Sequence, residues 1–218
     1  MKKYSFAFIL MLALSVQLFY AGRLSAQTTA TSQPVDLKPF VGKYQFTDNK
    51  RVFLQIMLKD GSLLLKQLWD NQEIPFKQTS GLEFYNDEHQ FPLKFTKSST
   101  GEITQVLAFD RDVWTRVADD YTVPLQKIIQ LTAEQLKPFE GKYELKGGDG
   151  GENSVVQVSS ADGHLVIKHV DDVSNILPVS ELDFVTEDQT FTVKFTKAAD
   201  GTVTQALVNN RDVWIKDK

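Results

Sequence analysis

Two Gln and Arg pairs offer the most suggestive chemistry in this sequence: Gln105 with Arg111, and Gln205 with Arg211. Each glutamine stands at an even spacing from apolar residues that would share one face of a strand, and each arginine closely follows a predicted turn. A buried amide must find hydrogen-bond partners, and an inward guanidinium would bind a polar or anionic group. The pattern therefore favours a pocket that holds the polar head of a ligand.

The same residues have a purely structural alternative. Small β-barrels have interiors that are filled by side chains. An inward arginine could then pair with Asp112 or Asp212 at the rim and close the barrel as an internal plug. The choice between a pocket and a plug stays open at this point.

Aromatic residues could form the apolar wall of such a pocket, and they are unevenly distributed. Residues 37–117 contain 12 Phe, Tyr and Trp residues, and residues 136–216 contain 6. The alternative is that these rings pack the core or an interface between the two halves. The predicted ligand-binding residues, with the first half as the main site, are Gln105, Arg111, Trp69, Phe109, Trp114, Gln205, Arg211 and Trp214.

Catalytic signatures are missing from the sequence. No Ser has a Lys three residues later, and neither Gly-x-Ser-x-Gly nor His-Glu-x-x-His occurs. The three histidines are His89, His164 and His169, and the last two bracket one predicted strand on opposite faces, so that they cannot share a metal ion there. We expect no enzyme activity, no cofactor and no metal; an enzyme would need an unrecognised site around the two Gln and Arg pairs.

The N-terminal residues predict export. Residues 1–26 combine two lysines, an apolar run and small residues before Gln27, which is typical of a cleaved signal peptide. A membrane anchor is the alternative, but the purely apolar part is shorter than the roughly 20 residues that a membrane-spanning helix needs. We therefore expect a periplasmic or secreted protein without stable membrane insertion after cleavage.

Composition narrows the classes of partner. The chain has no cysteine, so it has no disulfide and no thiolate metal site. Its formal charge is −4, and removal of Lys2, Lys3 and Arg23 with the leader takes it to −7. An acidic chain argues against nucleic acid as a partner, because phosphate binding needs clustered Lys and Arg.

An internal repeat places the candidate residues. Phe91–Trp114 and Phe191–Trp214 share 13 identities in 24 positions, and the phrase Leu-Lys-Pro-Phe-x-Gly-Lys-Tyr occurs twice, from Leu37 and from Leu136. We expect one unit over 37–117, a linker with a short helix over 118–135, and a second unit over 136–216. The capping-box spacing of Thr132 and Gln135 predicts the helix.

The sequence pattern of each unit predicts β structure. Apolar and polar residues alternate with period two, and X-Gly pairs such as Asp60-Gly61 and Asp162-Gly163 mark tight hairpins. The turns are too short for parallel crossovers. The sequence predicts an all-β protein of two tandem antiparallel meander β-barrels with about eight strands each, because closure removes exposed edges.

The order of these motifs resembles a known family. The Leu-x-x-Phe-x-Gly-Lys-Tyr opening, the Asp-Gly hairpin and the Lys-Phe-Thr strand are similar to the lipocalin-like domain of unknown function found C-terminal to many beta-lactamase-like serine hydrolases. The resemblance covers both units and implies a small barrel for each, without catalytic residues. The hydrolase domain itself is not in this chain, where the barrel stands doubled.

These observations define two hypotheses for function. The first is a non-catalytic module that binds a small amphipathic ligand, or a protein partner, mainly through the first repeat. The second is an accessory protein that acts in trans on a beta-lactamase-like serine hydrolase.

Overall fold

The computed structural model describes residues 36–148 and 151–217, apart from the side chain of Glu152. The predicted signal peptide, residues 1–26, lies outside this part of the chain. Over the described residues, no helix combines the length and the apolar character that crossing a membrane requires.

The first barrel consists of eight strands. They are β1 Gly42–Phe46, β2 Phe53–Lys59, β3 Ser62–Gln67, β4 Glu73–Ser80, β5 Glu83–Asn86, β6 Phe91–Lys97, β7 Ile103–Ala108 and β8 Asp112–Val117. Each strand pairs with the next in antiparallel register, and β8 returns to pair with β1. A 3-10 helix, Lys38–Phe40, precedes β1.

The second barrel repeats this arrangement. Its strands are β9 Gly141–Leu145, β10 Val155–Ala161, β11 His164–His169, β12 Asp172–Pro178, β13 Asp183–Val185, β14 Thr192–Lys197, β15 Val203–Val208 and β16 Asp212–Lys216. Strand β16 closes the barrel on β9. The prediction of two tandem eight-stranded antiparallel barrels is confirmed.

The repeated opening phrase closes one end of each barrel. In the first barrel, Pro39 starts the 3-10 turn that drives the Phe40 ring into the core, where it meets Phe84 and Phe95 edge-on at centroid distances of 5.0 Å and 4.8 Å. Tyr44 then donates its hydroxyl to the Phe40 carbonyl at 2.8 Å. The second barrel repeats the set with Pro138, Phe139, Phe184, Phe195 and Tyr143.

The closed end of the first barrel requires a residue without a side chain at Gly42. Its φ is +153°, and an added Cβ would lie 2.9 Å from Nε of Arg116, whose guanidinium donates to the carbonyls of Pro39 and Val41. We expect Gly42→Ala to lower the free energy of unfolding by about 1–2 kcal/mol in urea denaturation, because both the backbone angle and the space oppose a side chain. Gly81→Ala is the control, since no heavy atom lies within 4 Å of its Cβ position; equal losses in the two variants would contradict this account.

The buried tyrosines predict a loss of stability in alkali. Burial raises the pKa of Tyr44 to about 12, against a smaller opposing effect of Arg116, and burial also raises the pKa of Tyr143. A raised folded-state pKa stabilises the protein fully below the unfolded value near pH 10, and this contribution disappears as the pH rises through the folded value. We expect the urea midpoint to fall between about pH 10 and pH 12, and to fall less steeply in Tyr44→Phe. An identical slope in that variant would show that other groups cause the loss.

A β-bulge changes which side chains of β7 point into the barrel. The pairing of β6 with β7 shifts between Thr96 and Lys97, so that the inward-facing Ile103 and Val106 are three positions apart instead of two. Gln105 therefore pairs across from Thr96 and Thr115 on the outer face. The expectation that Gln105 points inward is wrong.

The second barrel has the same irregularity. The register of β14 and β15 shifts between Thr196 and Lys197, and Gln205 lies opposite Thr196 and Ile215. The inward side chain is its neighbour Ala206, which is 4 % exposed. The inward placement of Gln205 is wrong for the same reason, because alternation across a strand does not survive an inserted residue.

The linker between the barrels contacts both of them. Lys43 of the first barrel donates to the carbonyl of Tyr121 at 2.7 Å, and the amide of Ile129 donates to Pro178 of the second barrel at 2.9 Å. The predicted capping box at Thr132 and Gln135 is present and begins helix α1, Ala133–Leu136.

Candidate functional site

The open ends of the two barrels face each other across a cavity of about 920 Å³. On the side of the first barrel, the cavity is bounded by the strand ends and turns at β1–β2, β3–β4 and β7–β8. The second barrel covers it with the β13–β14 turn and the β15–β16 turn. The lining residues used below are Phe46, Trp69, Asp70, Phe91, Phe109, Asp112, Trp114, Glu187, Asp188, Asn209 and Arg211.

Asparagines hold the two open ends together. Asn49, in the β1–β2 turn, is 2 % exposed and donates its amide to the Thr190 carbonyl at 2.9 Å and to Oδ1 of Asn209 at 3.1 Å. Asn210 donates in the opposite direction to the carbonyl of Asp48 at 3.0 Å. Because buried amides cost free energy unless they are paired, these bonds favour one fixed arrangement of the barrels.

An ion pair crosses the same junction. Arg211 donates from Nη1 to Oδ1 of Asp112 at 3.0 Å, and the two side chains are 16 % and 11 % exposed. Arg211 also bonds Asp212 at 3.2 Å and lies over the ring of Phe46 at 5.8 Å. The predicted Arg and Asp pairing is therefore present, but it joins the two barrels at the mouth of the cavity and leaves the cavity open.

Aromatic rings form the wall of the cavity on the first barrel. Trp69 and Trp114 are stacked with an interplanar angle of 10° and a centroid distance of 6.1 Å, and Phe46 packs on Trp114 at 4.8 Å. Phe109 stacks on Phe91 with a centroid distance of 3.9 Å. The wall is thus made of flat apolar surfaces that a ligand could contact with little loss of side-chain entropy.

Phe109 has a backbone conformation that is unfavourable for phenylalanine. It has φ of +55° and Asp110 has φ of +54°, which are the angles of a tight I′ hairpin turn. The second barrel puts Asn209 and Asn210 at the equivalent positions, at +50° and +55°. Asparagine tolerates this conformation, whereas a bulky residue there costs roughly 1–2 kcal/mol. Val170 has a similar φ of +50° away from the cavity, so what distinguishes Phe109 is that its ring lines the cavity.

The indole nitrogens do not distinguish the cavity. Nε1 of Trp114 is buried without a hydrogen-bond partner among the described residues, and so is Nε1 of Trp214 in the core of the second barrel. Because the two barrels share this feature, it belongs to the repeated fold.

Four of the eight predicted site residues line the cavity, namely Trp69, Phe109, Trp114 and Arg211. Gln105 and Gln205 lie on outer faces, as described above. The inward placement of Arg111 is wrong, since its side chain is 51 % exposed and bonds Asp112 at 3.0 Å from outside. Trp214 packs against the core of the second barrel.

Other lining and junction residues were not predicted from the sequence. Asn49 gives no pattern signal, since a lone asparagine in a turn is ordinary. Asn209 corresponds to Phe109 in the repeat, and its residue type alone gives no signal of a site. Glu187 and Asp188 sit in the β13–β14 turn, and acidic residues in a turn normally indicate solvent exposure.

Metal-binding side chains do not converge in the described part of the chain. No group of three or more His, Cys, Asp or Glu residues there could hold a metal ion. His164 and His169 lie at opposite ends of β11.

The fold and the cavity together define the class: a tandem pair of small antiparallel β-barrels with a cavity between their open ends. Comparison with models of protein families finds no match for this chain, and comparison with curated proteins finds none either. The resemblance to the lipocalin-like domain rests on the residues quoted above and stays a prediction.

Proposed function

We propose that this protein is an exported, non-catalytic binding protein that holds a small amphipathic ligand in the cavity between its two barrels. The observation that carries the proposal is the aromatic wall of the first barrel, in which Phe109 is kept in a strained backbone conformation. The second barrel acts as the cover. A periplasmic or secreted location follows from the N-terminal sequence and belongs to the same proposal.

The dimensions of the cavity support this function. Its volume of about 920 Å³ falls within the range of roughly 300–1,000 Å³ that is usual for small-molecule sites. The wall is mostly apolar on the first barrel and mostly polar on the second, where Thr186, Thr190 and Asn209 contribute. A ligand with an apolar body and a polar end fits this division.

The differences between the repeats support the same division of work. Phe109 is a wall residue in the first barrel, whereas Asn209 at the equivalent turn bonds the first barrel through Asn49. Duplication of one fold has thus supplied two open ends with different surfaces. One surface contacts the ligand and the other fixes the cover.

Native mass spectrometry of the mature protein, isolated from the cell envelope of its own source, tests the proposal. We expect a non-covalent adduct of small-molecule mass that is lost on collisional activation. A bare chain that also fails to bind amphipathic probes would overturn the proposal. A second protein in place of a small molecule would overturn it in favour of binding to a protein partner, and only a partner identified as a beta-lactamase-like serine hydrolase would favour the accessory function.

A further inference from the structure

We infer that the ligand is an organic cation, an amine or quaternary ammonium attached to an apolar body. This inference rests on the proposed function and names the chemical class of its ligand. It replaces the expectation of a polar or anionic head, which came from placing the arginines inside the barrels.

The charges around the cavity are mostly negative. Among the described residues, four carboxylates line it; Asp112 is paired with Arg111 and with the lining guanidinium of Arg211, which leaves Asp70, Glu187 and Asp188. A cleft lined by one sign of charge concentrates counter-ions of the opposite sign. The lining thus attracts cations and repels carboxylates, sulfates and phosphates.

Arg211 does not offset this charge toward a ligand. Its guanidinium is already bonded to Asp112 at 3.0 Å and to Asp212 at 3.2 Å. An anionic ligand would have to compete with the carboxylates of Asp112 and Asp212 for the N–H groups of this guanidinium. Removing one partner of such a pair is costly, so that the arginine acts as a brace between the barrels.

The remaining carboxylates keep their charge available. Within the described residues, Asp70, Glu187 and Asp188 form no ion pair at 4.0 Å or less. Asp188 accepts hydrogen bonds from the amide and hydroxyl of Thr190 at 3.1 Å and 2.8 Å, and Asp70 accepts one from the amide of Gln72 at 2.9 Å. These bonds orient the carboxylates without neutralising them.

The aromatic wall favours the same class of ligand by a separate mechanism. The face of an aromatic ring attracts a cation held within about 6 Å of its centroid, and tryptophan does so best. Trp69, Trp114 and Phe109 line one cavity together with the acidic turn of the second barrel. Aromatic faces beside unpaired carboxylates are the arrangement that selects ammonium groups from neutral or anionic analogues.

Titration with three probes that share one octyl chain tests the inference. The probes are octyltrimethylammonium, octyl glucoside and octyl sulfate, each used below its micelle concentration, and tryptophan fluorescence reports binding to the full mature chain. We expect octyltrimethylammonium to bind at least about tenfold more tightly than octyl sulfate. The ratio of the two dissociation constants should fall as salt is added, because salt screens the charges.

A matched pair of variants sharpens the test. Glu187→Gln removes one lining carboxylate, and we expect it to weaken octyltrimethylammonium binding by about twofold to fivefold while octyl glucoside binding is unchanged. Glu102→Gln makes the same change in the exposed β6–β7 turn, at the opposite end of the first barrel, and should alter neither. Equal or tighter binding of octyl sulfate, or equal effects of both variants, would overturn the inference and leave the proposed function standing. Failure of all three probes to bind would overturn the proposed function itself.

Discussion

Phe109→Asn should weaken ligand binding by at least about tenfold and leave the free energy of unfolding unchanged. Binding depends on the side-chain ring, whereas stability also depends on the backbone conformation at this turn. The substitution removes a ring from the cavity wall. At the same time it installs the residue that the second barrel already uses at this turn, where Asn209 has φ of +50°. Relief of the backbone, roughly 1–2 kcal/mol, offsets the lost stacking on Phe91, about 0.5–1.5 kcal/mol.

The variant tests whether the Phe109 ring contacts a ligand or only packs against the barrel. Binding is measured by titration of the ligand, or of the best octyl probe, and stability by urea denaturation of the same preparation. Tyr85→Ala serves as the control, since Tyr85 lies on the first barrel outside the cavity lining. If Phe109→Asn binds as well as the parent protein, the ring is not part of a ligand site.

Phe95→Ala should lower the free energy of unfolding by about 3–5 kcal/mol, the usual cost of removing a fully packed phenylalanine ring. Phe95 is 4 % exposed and contacts Phe40, Phe84 and Tyr44 at centroid distances of 4.8, 5.5 and 6.2 Å. Its loss leaves a cavity in the middle of the closed end, where three rings lose a partner at once.

The repeat supplies a matched test for this core. Phe195 makes the equivalent contacts with Phe139, Phe184 and Tyr143 at 4.8, 5.5 and 5.8 Å, so that Phe195→Ala should cost a similar amount. Urea denaturation followed by circular dichroism measures both variants. A loss below about 1 kcal/mol in either would show that the closed end is not the principal core of its barrel.

The sequence predicted the start of each repeat well because the signal is local. The proline, the phenylalanine and the glycine of the opening phrase act within a few residues of one another, and the same order appears twice. Alternation along the strands then distinguished interior from exterior wherever the pairing was regular, as at Phe91, Leu93 and Phe95.

The candidate site was predicted only in part. Trp69, Phe109, Trp114 and Arg211 do line one cavity; the aromatic excess of the first repeat pointed to the first three, and the spacing of Gln205 and Arg211 to the fourth. The glutamines were misplaced because a bulge before Gln105 and before Gln205 shifts the facing by one residue. A bulge depends on how two strands pair, and this pairing leaves little trace in the alternation of a single strand.

The sequence by itself determined two all-β repeats, the meander order of their strands and the phrase with which each repeat begins, since turn chemistry and period-two alternation act over short distances. Only the tertiary structure decided that the open ends face each other and that Arg211 bonds Asp112 across the junction. These contacts join residues far apart in the sequence: 99 positions separate Arg211 from Asp112, and 160 separate Asn49 from Asn209. Each of those side chains is an ordinary turn residue in its own repeat, and its role exists only when the second open end is placed against it.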